Sequence, residues 1–212
     1  MAVEVGEHGT VVPVRLVHLV DHARTHIERT YSRPLIDRLI RSLNELRIAM
    51  PMDRRPLGLV LRETVRRNRV RNGLVYMQVT RGVARRDHAF PKPGTLPALV
   101  VTAKSVDPAK GASAAAKGVK VITVPDNRWE RVDIKSVGLL PNCLAKQQAR
   151  EAGAYEAWFV DEDGFVTEGS STNAWIVTKD GVIVTRHADV AILKGITRTT
   201  ILDLAKREKL KV

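Results

Sequence analysis

The sequence contains only one cysteine, Cys143, in 212 residues, so no disulfide bond can form within the chain. Such cysteine usage fits a reducing cytoplasm, and we expect a cytoplasmic protein. No run of 18 or more apolar residues occurs, so we expect no membrane-spanning helix. The first residues do not carry a basic start, an apolar stretch and a small-residue cleavage site in that order, so we expect no secretion signal either.

Aromatic residues are also scarce, at 4% of the chain, although the net charge is +12. A basic surface can bind phosphate backbones non-specifically, and arginines crowd positions 66–71. Those arginines point in several directions around a helix, as on a solvated face. Because stacking aromatics and any recognisable nucleic-acid-binding motif are missing, we do not expect nucleic acid as a partner.

Three of the six histidines, His18, His22 and His26, have a spacing that would place them on one face of a helix. Two such histidines can bind zinc, but the segment lacks the glutamate of a zinc-protease helix. The apolar residues between positions 11 and 20 also fit a strand, which would separate the histidines. We therefore expect no metal site.

The first half of the chain predicts two helices and two strands. Apolar residues recur at three- and four-residue steps between positions 35 and 46, which indicates an amphipathic helix. A second helix is expected to begin near Asp53 and Pro56 and to end at Asn72-Gly73. Strands are expected over residues 74–81 and 98–103. Residues 106–118 are rich in Pro, Ala, Gly, Ser and Lys without an apolar period, which predicts a linker.

The second half predicts a different set of elements, with Gly153 ending its first helix. The expected elements are a strand at 119–124, a helix at 141–152, a hairpin of 155–160 with 165–168, a hairpin of 174–177 with 182–185, and a helix from 197 to about 208. The pattern predicts an α+β protein with a divergent segment (1–34), a small domain (35–105), the linker (106–118) and a larger domain (119–212).

Three segments of this larger domain contain residues suited to chemistry: residues 132–136, 166–173 and 193–198. Each alone has an ordinary interpretation as a surface charge, a turn or a helix cap. Together and in this order they resemble the class IV, or fold type IV, aminotransferases, which use pyridoxal 5'-phosphate. The most specific mark is Glu168-Gly169-Ser170-Ser171-Thr172-Asn173. The resemblance extends from about residue 37 to the last residue and is greatest to the D-amino-acid transaminases.

The resemblance implies a two-domain fold with the cofactor site between the domains. It assigns Lys135 as the lysine that forms a Schiff base with pyridoxal phosphate. A neutral lysine amine can both form an imine and transfer a proton. It assigns Glu168 to the pyridine nitrogen, where a carboxylate favours the protonated, electron-accepting ring.

The remaining cofactor contacts implied by the resemblance involve the phosphate and the ring. Ile196 and Thr197 begin the last predicted helix, and helix N-termini bind anions. Arg38 matches the family's phosphate-binding arginine. Ser171 matches a serine beside the cofactor, and Leu193 a leucine packed on its ring.

Arg86 and His88 resemble the pair with which D-amino-acid transaminases bind the substrate α-carboxylate. An arginine fork matches a carboxylate, and a histidine adds a donor. By the resemblance this pair reaches the active site of a partner subunit, so we expect a homodimer that acts on amino acids and 2-oxo acids, in the manner of D-alanine and 2-oxoglutarate. A branched-chain aminotransferase and an aminodeoxychorismate lyase are the alternatives within the same family.

The resemblance stops before about residue 34. The position at which D-amino-acid transaminases carry a tyrosine of the carboxylate trap holds Leu19, and a recoded or mistranslated N-terminus explains the abrupt change best. The family also continues past Val212, so we expect a chain truncated at its C-terminus. A non-catalytic remnant that retains the fold is therefore a further alternative, and a full-length relative is expected to be the faster catalyst.

Overall fold

The computed structural model describes residues 32–212, which fold as two compact units of mixed helix and strand, residues 32–113 and 114–212. The predicted α+β class is confirmed. The three histidines at positions 18, 22 and 26 lie outside the described residues, as does Leu19. No helix in the described part is long and apolar enough to cross a membrane.

The unit of residues 32–113 contains helices α1 (Ser32–Glu45) and α2 (Arg54–Arg67) and strands β1 (Gly73–Thr80) and β2 (Ala98–Ser105). The two strands pair antiparallel along their whole length, and α2 packs on β2. The apolar stripe of α1 buries Ile36 and Leu43, as its three- and four-residue spacing predicts.

Helix α2 ends earlier than we predicted, at Arg67 rather than at Asn72-Gly73. Asn68 bonds back to the Thr64 carbonyl through both its backbone N–H, at 3.1 Å, and its side-chain amide, at 2.9 Å. Arg69 then adopts a positive φ of 53°, which turns the chain out of the helix. The hydrogen bonds of Asn68, and not the predicted glycine, therefore end α2.

The segment that we expected to be a linker between domains forms helix α3 (Pro108–Lys117). Asp107 accepts a hydrogen bond from the Ala109 N–H at 2.9 Å, as an N-capping residue does. Proline is favoured at the first helical position, and the alanines that follow have the highest helix propensity. These local preferences are sufficient to form a helix without an apolar period.

The unit of residues 114–212 contains a three-stranded sheet in the order β3 (Val121–Pro125), β4 (Glu156–Val160), β5 (Val166–Gly169). β3 and β4 run parallel, so the chain crosses over between them through α4 (Leu140–Glu151), while β4 and β5 form the predicted antiparallel hairpin. Gly153, at φ 66°, ends α4 as predicted.

The core of this unit lies between α4 and the sheet. Phe159 is fully buried and packs with smaller residues of α4, of the strands and of the chain that joins them, which are Val124, Ala145, Ala149, Ala154 and Ala157. Because alanines line the buried face of the helix, α4 can approach the sheet closely. The large Phe159 ring fills the space between them.

The chain continues from this sheet into a short hairpin of β6 (Ile176–Val177) and β7 (Ile183–Val184), followed by helix α5 (Ile196–Arg207). The hairpin is shorter than predicted. A side chain holds the hairpin at the end away from its turn, since the Thr185 hydroxyl donates to the Ala174 carbonyl at 2.8 Å.

The first prediction concerns the core around Phe159. Phe159→Ala should lower the free energy of unfolding by about 3–5 kcal/mol, because it removes a fully buried aromatic ring and leaves a cavity. Phe165→Ala, at a position 43% exposed on the neighbouring strand end, should cost less than about 1 kcal/mol. Urea unfolding followed by circular dichroism measures both values. Equal losses would show that the core is not centred on Phe159.

Candidate active site

Hydrogen bonds join the three sequence segments that were singled out for chemistry. The Asp133 N–H donates to the Val190 carbonyl at 3.4 Å. This bond connects residues 132–136 to the stretch that directly precedes residues 193–198. The Leu193 N–H donates to both carboxylate oxygens of Glu168 at 3.2 Å. The Asn173 amide donates to the Leu193 carbonyl at 2.9 Å. The chain around residues 190–193 therefore links the other two segments.

Glu168 is a buried carboxylate at the end of β5. It accepts hydrogen bonds from the Asn173 amide, at 2.9 Å, from the Leu193 N–H and from a guanidinium N–H of Arg128. Burial raises the pKa of Glu168 above its ordinary value, and the bonds from Arg128 and Leu193 offset part of that rise. The hydrogen-bond donors around Glu168 therefore stabilise its charged form against the effect of burial.

Arg128 is the residue of this site that the sequence interpretation missed. Its side chain is 3% exposed and lies between two carboxylates, donating to Glu168 and, at 2.7–2.8 Å, to Asp126. It also donates to the Ala191 carbonyl at 3.1 Å, and its guanidinium lies 4.5 Å from the centre of the Phe159 ring. The available signal was an Asp-x-Arg pair directly after the strand β3.

Asp126 completes this buried ion cluster. Burial alone would raise its pKa, but hydrogen bonds from Arg128 and from the Thr167 hydroxyl, the latter at 2.6 Å, bring the pKa of Asp126 below its ordinary value. Burial would likewise lower the pKa of Arg128, and its two carboxylate partners raise that pKa instead. One cation therefore stabilises two carboxylates.

The predicted phosphate-binding residues of this unit lie at the start of α5. Ile196 and Thr197 are its first two residues, and the cap position before them is Gly195, which has no side chain to cover the first-turn N–H groups. A Cβ at Gly195 would lie 2.2 Å from the side-chain oxygen of Asn173, so a larger residue there would displace the Asn173 amide. The helix start therefore adjoins Asn173, which bonds to Glu168.

Lys135 lies on the irregular stretch between β3 and α4, two residues after the buried Asp133, and is exposed. Leu193 is half-buried, with its N–H bonded to Glu168. Ser171 is exposed in the turn after β5, and its hydroxyl donates to the buried Glu156 carboxylate at 2.6 Å. All of these residues belong to residues 114–212.

The other predicted residues, Arg38, Arg86 and His88, belong to residues 32–113. Arg38 is half-buried on α1, and burial lowers its pKa. Arg86 and His88 are exposed on the long loop between β1 and β2. The base of that loop is fixed by Arg81, which lies 3.6 Å from the centre of the Phe90 ring and donates to the Arg47 carbonyl at 3.2 Å.

No group of three or more His, Cys, Asp or Glu side chains within residues 32–212 is arranged to hold a metal ion.

Comparison with known proteins identifies relatives of this chain. Residues 36–212 match the family described as amino-transferase class IV. D-alanine aminotransferase of Staphylococcus aureus (strain MSSA476) is 43% identical over 171 residues, which cover 80% of this chain and 59% of the relative. The enzyme of the same name from Bacillus licheniformis is 42% identical over 175 residues, covering 82% and 60%. The chain thus spans about three fifths of the length of these relatives.

A solved structure gives the same result for the fold. The branched-chain aminotransferase from the thermophilic archaeon Thermoproteus uzoniensis, solved with norvaline, superposes with a TM-score of 0.63 at 26% identity. The match covers 82% of this chain and 59% of that chain.

The second prediction concerns Arg128. Arg128→Met should lower the free energy of unfolding by about 3–5 kcal/mol near pH 7, because Asp126 and Glu168 would be left buried without a cation. Without Arg128 the pKa of both carboxyls would rise, so the folded state would bind protons more readily than the unfolded chain. Stability would then fall as pH rises through that range. The loss should accordingly be smaller near about pH 4, where carboxyl groups with raised pKa values are largely protonated and no longer need a cation.

Urea unfolding at the two pH values measures this difference. Arg66→Met is the matched control, since Arg66 pairs with Glu63 on an exposed helix face and its loss should change stability little at either pH. A loss for Arg128→Met that does not depend on pH would contradict the role of Arg128 as counter-ion.

Proposed function

The chain belongs to the class IV aminotransferases, and on that basis we propose that the protein transfers amino groups between D-amino acids and 2-oxo acids with pyridoxal 5'-phosphate as cofactor. The observation that carries the proposal is the hydrogen-bonded junction of Lys135's segment, Glu168 and the start of α5 within one compact unit. The D-alanine aminotransferase relatives support the choice of D-amino acids.

The residues of this unit fit the cofactor's two polar ends. Glu168 supplies a buried carboxylate that would hold a protonated pyridine nitrogen, and the donors Arg128 and Leu193 favour its charged form. The start of α5, with Gly195 as its cap, offers backbone donors for a phosphate. When bound, the cofactor supplies an electron-accepting ring that stabilises negative charge at the substrate Cα.

Lys135 is the group that we assign to bonding the cofactor and to moving the proton of the substrate Cα. Its position two residues after Asp133, whose N–H bonds to the Val190 carbonyl, attaches this long side chain to the buried framework of the site. A lysine performs both tasks as the neutral amine, and its four-carbon stem lets the nitrogen reorient between them.

Arg38, Ser171 and Leu193 complete the proposed cofactor contacts, with Arg38 acting on the phosphate. Arg86 and His88 are proposed to bind the α-carboxylate of the substrate in the site of a partner subunit, so the working form would be a homodimer. Their exposure on the loop between β1 and β2 is consistent with contact to another molecule. The chain's single cysteine fits the cytoplasm, where we place it.

The third prediction tests Lys135. Borohydride reduction of the protein with pyridoxal 5'-phosphate should attach the label to Lys135, because we assign the cofactor bond to that amine. Lys135→Ala should abolish both labelling and amino transfer, while Lys179→Ala, on the exposed turn between β6 and β7, should leave labelling intact. Peptide mapping by mass spectrometry gives the position. A label on Lys146 or Lys194 would end the assignment.

The fourth prediction tests the substrate. D-alanine and D-glutamate should convert the bound cofactor faster than L-leucine and L-valine do in single-turnover absorbance measurements. Arg86→Ala should lower the transition-state stabilisation of the D-alanine reaction by about 2–5 kcal/mol, because a charged hydrogen bond to the carboxylate is lost. The affinity for the cofactor should remain almost unchanged.

Arg85→Ala is the matched control for this substitution. Arg85 neighbours Arg86 on the same exposed loop, so a loss of charge alone would affect both variants equally. Faster conversion with L-leucine than with D-alanine would assign the protein to the branched-chain aminotransferases, of which one structure shares the fold.

A further inference from the structure

A second buried carboxylate, Glu156, lies beside the turn that follows β5 and bonds to its hydroxyl groups. We name residues 169–173 the serine turn. The Ser171 hydroxyl donates to Glu156 Oε2 at 2.6 Å and the Thr172 hydroxyl donates to the same oxygen at 3.2 Å, while the Ser170 hydroxyl donates to Oε1. The Glu156 side chain is only 3% exposed, so these bonds replace water around a charge.

Both oxygens of the Glu156 carboxylate also accept hydrogen bonds from groups that can only donate. The Ala157 N–H donates to Oε1 at 3.0 Å, and the Lys146 ammonium lies 3.3 Å from that oxygen. The Ser171 N–H donates to Oε2 at 3.3 Å. An amide in place of the carboxylate would present its NH2 group to a fixed donor in either orientation. The position therefore requires two acceptor oxygens, which only a carboxylate of this length supplies.

The serine turn is held from its other sides as well. The Asn142 amide of α4 donates to the Ser170 carbonyl at 2.9 Å, and the Gly169 N–H donates to the Thr172 carbonyl at 2.7 Å. A Cβ at Gly169 would lie 2.4 Å from the Thr172 hydroxyl oxygen, so the turn closes tightly on itself. Glu168 directly precedes this turn. The Asn173 amide of the turn also donates to the Glu168 carboxylate at 2.9 Å, so the turn and Glu168 are linked both by the backbone and by this bond.

We propose that Glu156 is a positioning residue of the cofactor site, whose carboxylate fixes the serine turn and thereby sets the placement of both the Ser171 hydroxyl and Glu168. This inference rests on the proposed function, because it takes Ser171 and Glu168 as cofactor contacts. Glu156 itself uses its acceptor capacity on the serine turn, Ala157 and Lys146, and acts through the residues that it holds.

The experiment combines a binding measurement with one that needs no cofactor. Pyridoxal 5'-phosphate is titrated into the full chain and into Glu156→Gln, followed by absorbance. Hydrogen exchange of backbone amides is measured on the same proteins without cofactor. Glu151→Gln is the matched control, because Glu151 is an exposed glutamate of α4 whose carboxylate accepts a hydrogen bond from the Gln147 amide at 2.9 Å.

Glu156→Gln should weaken pyridoxal phosphate binding by about tenfold, since a buried donor loses its acceptor, whereas Glu151→Gln should stay within about twofold of the unaltered chain. Amide exchange in the serine turn should accelerate by about tenfold or more, and exchange in β3 should change by less than about twofold. The double variant Glu156→Gln with Ser171→Ala should bind pyridoxal phosphate little more weakly than Glu156→Gln alone. Both substitutions disrupt the same hydrogen bond between Ser171 and Glu156.

The inference would be overturned if a folded Glu156→Gln variant bound pyridoxal phosphate within about twofold of the unaltered chain. It would also be overturned if amide exchange accelerated equally in the serine turn and in β3. If Glu156→Gln does not fold, Ser170→Ala replaces it, with an expected loss of about threefold in affinity, and an unchanged affinity overturns the inference. If the unaltered chain itself does not bind pyridoxal phosphate, the proposed function fails. If the unaltered chain binds pyridoxal phosphate and Glu156→Gln binds it equally well, only the proposed role of Glu156 is rejected.

Discussion

Burial of the Glu168 carboxylate is the constraint on which the arrangement of this unit depends. An unpaired carboxylate is too costly to keep away from water, so the chain must deliver donors to it. Those donors come from Arg128 after β3, from Asn173 after β5 and from the backbone of Leu193 before α5. Three parts of the chain, distant in sequence, are therefore brought to one place. The same carboxylate is then available to a positively charged ring nitrogen.

The serine turn adds a second instance of the same principle. Glu156 is buried at the start of β4 and accepts bonds from three hydroxyls as well as from the Lys146 ammonium. Burial would raise the pKa of Glu156, but the hydroxyls of Ser170 and Ser171 bring it below its ordinary value, so the group remains charged. Glu168 lies at the end of β5 and Glu156 lies beside the turn that follows it, and both carboxylates accept hydrogen bonds from residues of that turn.

The sequence allowed the regular elements to be predicted because their signals are local. The stripe of α1, the glycine stop of α4 and the hairpin of β4 with β5 each depend on residues a few positions apart. The early end of α2 and helix α3 were missed because single side-chain bonds and alanine propensity outweighed the expected glycine and linker signals. Arg128 was missed for another reason: its partner Glu168 lies 40 residues away, and only the pairing of β3, β4 and β5 brings the two together.

The parallel pairing of β3 with β4 has a consequence for how the chain folds. A parallel pair cannot close through a tight turn, so β3 and β4 meet only after the whole crossover between Pro125 and Glu156 has been brought back to the sheet. Closing such a loop costs chain entropy before any contact compensates for it, which slows folding. Arg128 and Lys135 both lie on that crossover. Nascent chains in which β3 is still unpaired would therefore lack the bond between Arg128 and Glu168, and the conformational search that completes the sheet is also the step that assembles the polar centre.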